Sequence, residues 1–185
     1  FLFSTILSEA SNSLIGNANL VGKVYFPRII IPSSSAVVAL VDFGINLAML
    51  GVLMLWYGFM PTWRILLLPF FVLLAMLASL GPSFLVTALN VKYRDFRYII
   101  PFIVQFGLYV SPVGFSSATV PENLRFWYSL NPVVGVIDGF RWCLLGGNSD
   151  IYMPGFLLSF GIVAIFLWAG IAYFRHTERG FADMI

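Results

Sequence analysis

The sequence predicts an all-α integral membrane protein, and two observations carry that prediction. First, 60% of the residues are hydrophobic and only 10% are charged, so a water-soluble fold would expose more apolar surface than its charges could keep in solution. Second, several apolar stretches approach or exceed the roughly 20 residues that cross a bilayer core as a helix. We predict spans at residues 33–57, 65–89, 98–116 and 154–174.

The beginning of the chain predicts part of a further span. Residues 1–17 pass from apolar to polar side chains, which is typical of a membrane helix that ends at a water interface. The chain begins at Phe1 and not at methionine, so we expect an N-terminal region to precede it. Residues 1–185 then form a single transmembrane domain.

The lysine and arginine residues are divided unevenly between the segments that connect these spans. Alternate segments carry seven cations on one side of the membrane and three on the other. The seven are Lys23, Arg28, Lys92, Arg94, Arg97, Arg175 and Arg179, and the three are Arg64, Arg125 and Arg141. Cytoplasmic loops carry the excess of positive charge, so we predict that residues 20–32, 91–98 and 175–185 face the cytoplasm. Residues 117–153 then lie on the outer side.

Residues 20–32 are the first candidate contact surface. They mix apolar and basic side chains and contain prolines, a composition that predicts a short amphipathic cytoplasmic helix. Such a helix would present Tyr25, Phe26 and Arg28 to another protein. The alternative is that the helix lies on the anionic lipid of the inner leaflet.

The charged break between two apolar stretches is the second candidate contact surface. It contains Lys92, Arg94, Asp95 and Arg97. Charged side chains are too costly to place in hydrocarbon, so these residues must lie in water at a membrane face or against a partner protein. We predict that they form a second cytoplasmic contact.

Two sets of residues within the predicted spans are candidates for a channel wall. Asp42 and Asn46 are four residues apart, hence on one helix face, and an ionisable group at membrane depth is a functional candidate. Asp42 could equally lie in a hydrated cavity or pair with a neighbouring helix. The second set recurs at helical spacing and comprises Tyr98, Phe102, Gln105 and Tyr109. This stripe either faces lipid or packed helices, or it lines a channel whose aromatic faces and hydrogen-bonding groups suit a sugar chain.

The outer segment at residues 117–153 is too long for a simple turn and contains several helix breakers. Between the breakers, residues 122–130 and 133–145 carry apolar and aromatic side chains but are too short to span a bilayer. We predict short re-entrant helices in the outer leaflet, and a plain extracellular loop is the alternative. The side chains expected to face protein or water are Glu122, Arg125, Asp138 and Arg141.

The sequence gives little support to catalysis, nucleotide binding or metal binding by this chain. One glycine pair fails as a phosphate-binding loop, because five residues separate Gly16 from Gly22 where the motif has four, and Val24 replaces the Ser/Thr that would hold magnesium. With one cysteine, Cys143, and one histidine, His176, neither a metal cluster nor a catalytic triad can be assembled. We expect no catalytic, cofactor-binding or metal-binding residue. A net charge of +2 without a basic run predicts no nucleic-acid partner.

Four segments of the chain resemble the permease subunit of ABC type-2 polysaccharide exporters, which export O-antigen, capsule or teichoic acid. The segments read NANLVGKVYFPR at residues 17–28, LNVKYRDFR at 89–97, LNPVVGVIDGFRW at 130–142 and ERGFAD at 178–183. The resemblance covers essentially the whole chain. It implies a six-span permease half that lacks the first span, so that about five spans are present together with outer-leaflet helices.

The resemblance also implies a function, a location and a set of partners. A homodimer of the permease, bound to two separate ATP-binding subunits, would move a lipid-linked polysaccharide outward across the bacterial inner membrane. ATP and magnesium would be bound by those subunits and not by this chain, whose C-terminus would be cytoplasmic. The ATPase-coupling element would contain Lys23, Tyr25, Phe26, Pro27 and Arg28. The exit-gate helices would contain Asn131, Pro132, Asp138, Arg141 and Trp142.

Two departures and two rival functions accompany this interpretation. Gly22 stands where the family commonly has a second basic residue, and Ile29 stands where an acidic residue is common, so the contacts to the ATP-binding subunit are expected to differ. One rival is an ABC type-2 exporter of small lipids or drugs. The other is an integral-membrane enzyme of envelope assembly, which the absence of histidine from residues 117–153 disfavours.

Overall fold

The computed structural model of the chain describes residues 1–23, 26–59, 62–93, 95–145 and 152–181. Within these ranges the regular structure consists of eight α-helices and three short 3₁₀ segments. The helices are α1 (Leu2–Gly16), α2 (Ala18–Lys23), α3 (Ile30–Trp56), α4 (Leu68–Lys92), α5 (Phe96–Val110), α6 (Glu122–Tyr128), α7 (Pro132–Leu145) and α8 (Met153–Thr177). The 3₁₀ segments are Trp63–Leu67, Ser117–Thr119 and Glu178–Gly180. This architecture confirms the predicted all-α class.

Three helical segments of the described chain are long and apolar enough to cross a membrane. They are α3, α8 and the stretch Trp63–Lys92, in which a 3₁₀ segment leads into α4. α3, α4 and α8 begin and end within three residues of the spans predicted at 33–57, 65–89 and 154–174.

α5 is shorter than the span predicted at residues 98–116. It is apolar but has only 15 residues, and it ends at Val110. The physical reason is Pro112, because a proline disfavours the helical conformation of the residue before it. Ser111 is accordingly extended, with ψ 150°.

α4 is the central helix of the bundle. It packs most extensively against α8 and α1, and α1 packs in turn against α3. An apolar cluster at one end of the bundle includes Leu2, Ala36, Phe71, Val136 and Val163. A second cluster at the other end includes Leu14, Val21, Ile31, Phe84, Phe174 and Phe181. The second cluster therefore joins α1, α2, α3, α4 and α8 to the residues that follow α8.

α4 and α8 approach each other through a pair of glycines. A Cβ atom added to Gly170 would lie 2.2 Å from the carbonyl oxygen of Gly81, and one added to Gly81 would lie 2.7 Å from the backbone nitrogen of Leu167. Small residues of this kind let two membrane helices bring their backbones into contact, which maximises their van der Waals packing. The α4–α8 contact therefore depends on the absence of a side chain at both positions.

α4 and α1 are joined by buried polar side chains. Thr87 donates through Oγ1 to the carbonyl oxygen of Ala10 (2.9 Å), and Asn90 donates through Nδ2 to the carbonyl oxygen of Ser11 (2.8 Å). Thr87 and Asn90 are both buried. Hydrogen bonds between membrane helices contribute about 0.6 to 2 kcal/mol each, so this pair fixes the position of α1 against the central helix.

Candidate functional site

The connection between α2 and α3 contains the residues predicted to couple the chain to an ATPase. Residues 20–32 are not one amphipathic helix, because α2 ends at Lys23 and α3 begins at Ile30. Pro27 interrupts the helix, since it has no backbone N–H to donate, and its carbonyl instead accepts from the nitrogen of Ile30 (3.1 Å). Tyr25, one of the predicted coupling residues, lies outside the described residues.

The described residues of this connection face in different directions. Lys23 and Pro27 are exposed, as expected of a contact surface, whereas Phe26 and Arg28 are half-buried. The guanidinium of Arg28 donates through Nη1 to the carbonyl oxygen of Glu178. Arg28 was predicted to face a partner, but in the structure it is turned towards the chain's own C-terminal residues.

The second predicted cytoplasmic contact lies between α4 and α5. Lys92, Asp95 and Arg97 are exposed there, and the Nζ atom of Lys92 lies 5.2 Å from the centre of the Tyr93 ring. Arg94, the remaining member of this set, lies outside the described residues. The exposed side chains are available to a partner or to water.

Both predicted cytoplasmic segments are at the same end of the bundle. The cluster that contains Phe181 also contains Val21 of α2, Ile31 of α3 and Val91 of α4, so the connection after α2 and the end of α4 converge there. The described cations of the larger predicted set are therefore near this end: Lys23, Arg28, Lys92, Arg97 and Arg175. That this end faces the cytoplasm remains a prediction.

α5 presents an exposed aromatic face. Tyr98, Phe102 and Tyr109 are 80%, 68% and 73% exposed, and Ile100 is the buried side chain of this helix. The rings of Phe102 and Phe106 are stacked, with centres 6.2 Å apart and planes 13° apart. Gln105 is also exposed, which places a hydrogen-bonding amide among these rings.

The other predicted channel residues are on α3. Asp42 and Asn46 are both exposed, and Asn46 donates through Nδ2 to the backbone carbonyl of Asp42 (2.9 Å). An open apolar cavity of about 830 Å³ is lined by side chains of α1, α3, α4, α5 and α7, among them Phe43, Leu53 and Ile103. Neither of the two polar residues is among the residues that line this cavity.

α6 and α7 hold the segment that follows α5. Arg141 donates to the carbonyl oxygens of Phe115 (2.6 Å) and Val113 (3.1 Å), and the hydroxyl of Tyr128 donates to the carbonyl of Val110 (2.8 Å). The Tyr128 bond satisfies a carbonyl that the last turn of α5 leaves without a helical donor, and the two Arg141 bonds hold the segment that follows the helix. The predicted gate helices therefore brace the end of α5.

Asn131 and Pro132 fix the beginning of α7. The side-chain oxygen of Asn131 accepts from the backbone nitrogen of Val133 (3.1 Å), as a helix-capping residue does, and Pro132 occupies the first helical position, where no N–H is needed. The Asn131 amide also donates to the Ser111 hydroxyl (3.0 Å). This pair therefore caps one helix and ties it to the end of another.

The remaining predicted gate residues contribute charge and packing. Burial raises the pKa of the Asp138 carboxyl, although a hydrogen bond from Ser117 and the positive charges of Arg141 and Arg125 act in the opposite direction. The guanidinium carbon of Arg64 lies 4.5 Å from the centre of the Trp142 ring, which attaches the segment before α4 to α7.

We predict that Arg141→Ala loosens the segment after α5 and lowers the stability of the protein by about 1 to 3 kcal/mol, since two carbonyl oxygens lose a charged donor. Asp138→Asn is the matched control. It removes a carboxylate charge near Arg141 that burial disfavours, and it leaves the arginine itself in place. Thermal unfolding in detergent measures both variants. Equal destabilisation by the two substitutions would contradict the bracing role of Arg141.

Several contacts at these surfaces have no counterpart in the sequence-based prediction. They involve Thr87, Asn90, Gly81, Gly170, Glu178 and Phe181. The α4 residues carry a usable signal, since Ser79, Ser83 and Thr87 recur every four residues within an apolar span and mark one helix face. Nothing local signals that the residues after α8 pack against the connection after α2.

Comparison with known proteins shows the family of the chain. The family described as ABC-2 type transporter matches residues 1–145 of the chain. The O-antigen export system permease protein RfbA of Myxococcus xanthus is 27% identical over 185 residues, which are 99% of this chain and 71% of that protein. A protein of the same name from Klebsiella pneumoniae is 26% identical over 198 residues, covering 100% of this chain and 72% of that protein.

The family match agrees with the architecture of the described residues. It covers α1 to α7, which include the connection after α2, the aromatic face of α5 and the two short helices that brace its end. Several apolar helices of membrane-crossing length make the chain a multi-pass membrane protein. The chain belongs to the ABC-2 type transporter family of membrane proteins.

Proposed function

We propose that the chain is the permease subunit of an ATP-driven exporter that moves a lipid-linked polysaccharide of the O-antigen class across the bacterial inner membrane. The observation that carries this proposal is the exposed aromatic face of α5 in a chain whose relatives are named O-antigen export permeases. Aromatic rings beside an exposed amide suit the alternating apolar faces and hydroxyl groups of a sugar chain. The chain acts as a transport subunit and not as an enzyme.

The energy for export comes from a separate ATP-binding subunit, present in two copies. The exposed side chains of Lys23, Pro27, Lys92, Asp95 and Arg97 lie near one end of the bundle and form the surface on which that subunit docks. The ATP-binding subunit, and not this chain, binds ATP and magnesium. This end of the bundle faces the cytoplasm, in line with its excess of cations, and we expect the C-terminus on the same side of the membrane.

A second copy of the chain completes the channel. The α5 face has no partner among the described residues, and its exposed side chains are aromatic apart from Gln105. Pairing of two such faces about a twofold axis would enclose a path lined by Tyr98, Phe102, Gln105 and Tyr109. α6 and α7 brace the outer end of this path and form its exit gate.

We predict that the double variant Lys92→Glu and Arg97→Glu lowers the amount of ATP-binding subunit that co-purifies with the full-length protein by about tenfold. Reversing two exposed charges removes their attraction for an acidic partner surface, and a tenfold change corresponds to about 1.4 kcal/mol. Glu122→Lys in α6 is the control, because it changes an exposed charge at the opposite end of the bundle. Unchanged co-purification of the double variant would count against this docking surface.

A further inference from the structure

We propose that the residues after α8 position the coupling connection, and that Arg28 acts by holding this connection rather than by contacting the ATP-binding subunit. The two parts are the C-terminal turn, residues 178–181, and the connection at residues 26–31. The consequence of this contact for export rests on the proposed function. The contact itself is a property of this chain and can be tested without a partner or a substrate.

The polar half of this contact is one hydrogen bond between residues that are 150 positions apart. The acceptor is the backbone carbonyl of Glu178, which directly follows α8 and also accepts from the backbone nitrogen of Phe181 in the 3₁₀ turn. A carbonyl oxygen can accept two hydrogen bonds, so the guanidinium shares this acceptor with Phe181, and its positive charge lies favourably at the negative end of α8. The Glu178 side chain takes no part in this bond, so replacing that side chain should leave the contact intact.

The apolar half is the burial of Phe181. This side chain is 0% exposed, and its ring centre lies 5.4 Å from that of Phe174 with an interplanar angle of 79°. The Phe174 ring in turn lies 6.0 Å from that of Phe84 in α4. Phe26 and Ile29 pack against this same cluster. The C-terminal turn therefore inserts a large aromatic side chain beneath the coupling connection.

Residues 26–29 of the connection need such support because they lie outside regular helix. These residues include Pro27 and a turn, and Pro27 cannot donate the backbone hydrogen bond that a continuous helix would need there. Their position is consequently set by tertiary contacts. α8 is locked onto α4 by the glycine contact, so a displacement of the connection reaches the central helix through Phe181 and Phe174.

The first test measures the contact directly in the full-length protein in membrane vesicles. Cys143 is replaced by Ser, and a single cysteine is introduced at Ile29, which packs on the cluster, or at its exposed neighbour Ile30. We expect Phe181→Ala to raise the rate of maleimide labelling at position 29 by about tenfold, because loss of a large buried ring favours local opening. Labelling at position 30 should change by less than about twofold, since that side chain is already accessible.

Phe181→Leu keeps the first test decisive if the alanine variant folds poorly. Leucine retains most of the buried apolar volume, so labelling at position 29 should stay close to the rate in the parent protein. Slow labelling at position 29 in both Phe181 variants would overturn the proposal. Fast labelling at both positions in the parent protein would overturn it as well.

The second test separates positioning from direct contact, with the ATP-binding subunit present. Arg28→Ala and Phe181→Ala should each lower export by about tenfold while the ATP-binding subunit still co-purifies. The double variant should export no less than the poorer single variant, because both substitutions disrupt the same contact. Glu178→Ala should export normally.

The outcomes of the second test distinguish the two proposals. If Arg28→Ala abolishes co-purification and Phe181→Ala does not, Arg28 contacts the partner directly and the positioning role is overturned, while the exporter function stands. If the labelling rates follow the prediction but the parent protein exports no polysaccharide, the contact is supported and the exporter function fails.

Discussion

Gly170→Leu is expected to prevent α4 and α8 from packing and to remove most of the folded protein from the membrane. Its Cβ atom would lie 2.2 Å from the carbonyl oxygen of Gly81, and a backbone atom in the middle of a helix cannot rotate away as a side-chain end can. Over-packing a well-packed core costs about 1 to 3 kcal/mol, and we expect this position to reach or exceed the upper value, about 3 kcal/mol.

Gly161→Leu is the matched control for this prediction. Gly161 lies in the same helix, and a Cβ atom there would meet no atom within 4 Å. Both variants add the same side chain to α8, so they differ in the contact and not in helix propensity. Detergent extraction followed by thermal unfolding measures the fraction folded. Similar losses for both variants would show that the α4–α8 glycine contact does not govern stability.

The second large effect is expected on export and not on folding. Replacing Phe102 and Tyr109 with Ala should lower polysaccharide export by about tenfold or more, which corresponds to about 1.4 kcal/mol of lost interaction along the transport path. The protein should remain as stable as the parent protein, because both side chains are largely exposed and support little internal packing.

A pair of substitutions on α3 distinguishes a channel face from a lipid face. Val37 and Ile45 are 61% and 65% exposed, and we expect their replacement by Ala to leave export unchanged. The amount of surface polysaccharide per folded permease measures both pairs. If the α5 pair and the α3 pair behave alike, the aromatic face of α5 lies against lipid and has no transport role.

The long helices can be predicted from the sequence because their signal is local. A continuous apolar stretch specifies a membrane helix by composition and length alone, which is why α3, α4 and α8 end within three residues of the predicted spans. The shortened α5 and the interrupted coupling connection also have local causes. Pro112 and Pro27 interrupt helices that the apolar composition of their neighbours would otherwise favour. Treating each proline as a helix break predicts both interruptions from the sequence.

The contacts made by the residues after α8 could not be predicted in the same way. Arg28 and Glu178 are 150 residues apart, and an arginine in a basic loop gives no indication that it will turn inward. Phe181 belongs to a short polar tail whose burial depends on how α8 is placed against α4. These contacts arise from the three-dimensional packing of the bundle, for which the sequence around each residue carries no information.

Transport in a purified system tests the proposed export function most directly. The full-length protein and its ATP-binding subunit are reconstituted in vesicles with the ATP-binding subunit outside, and a lipid-linked O-antigen polysaccharide is supplied in the outer leaflet. We expect the polysaccharide to become protected from added glycosidase only when ATP and both proteins are present. Protection without ATP, or ATP-dependent movement of a short lipid or drug but not of the polysaccharide, would contradict the proposed function.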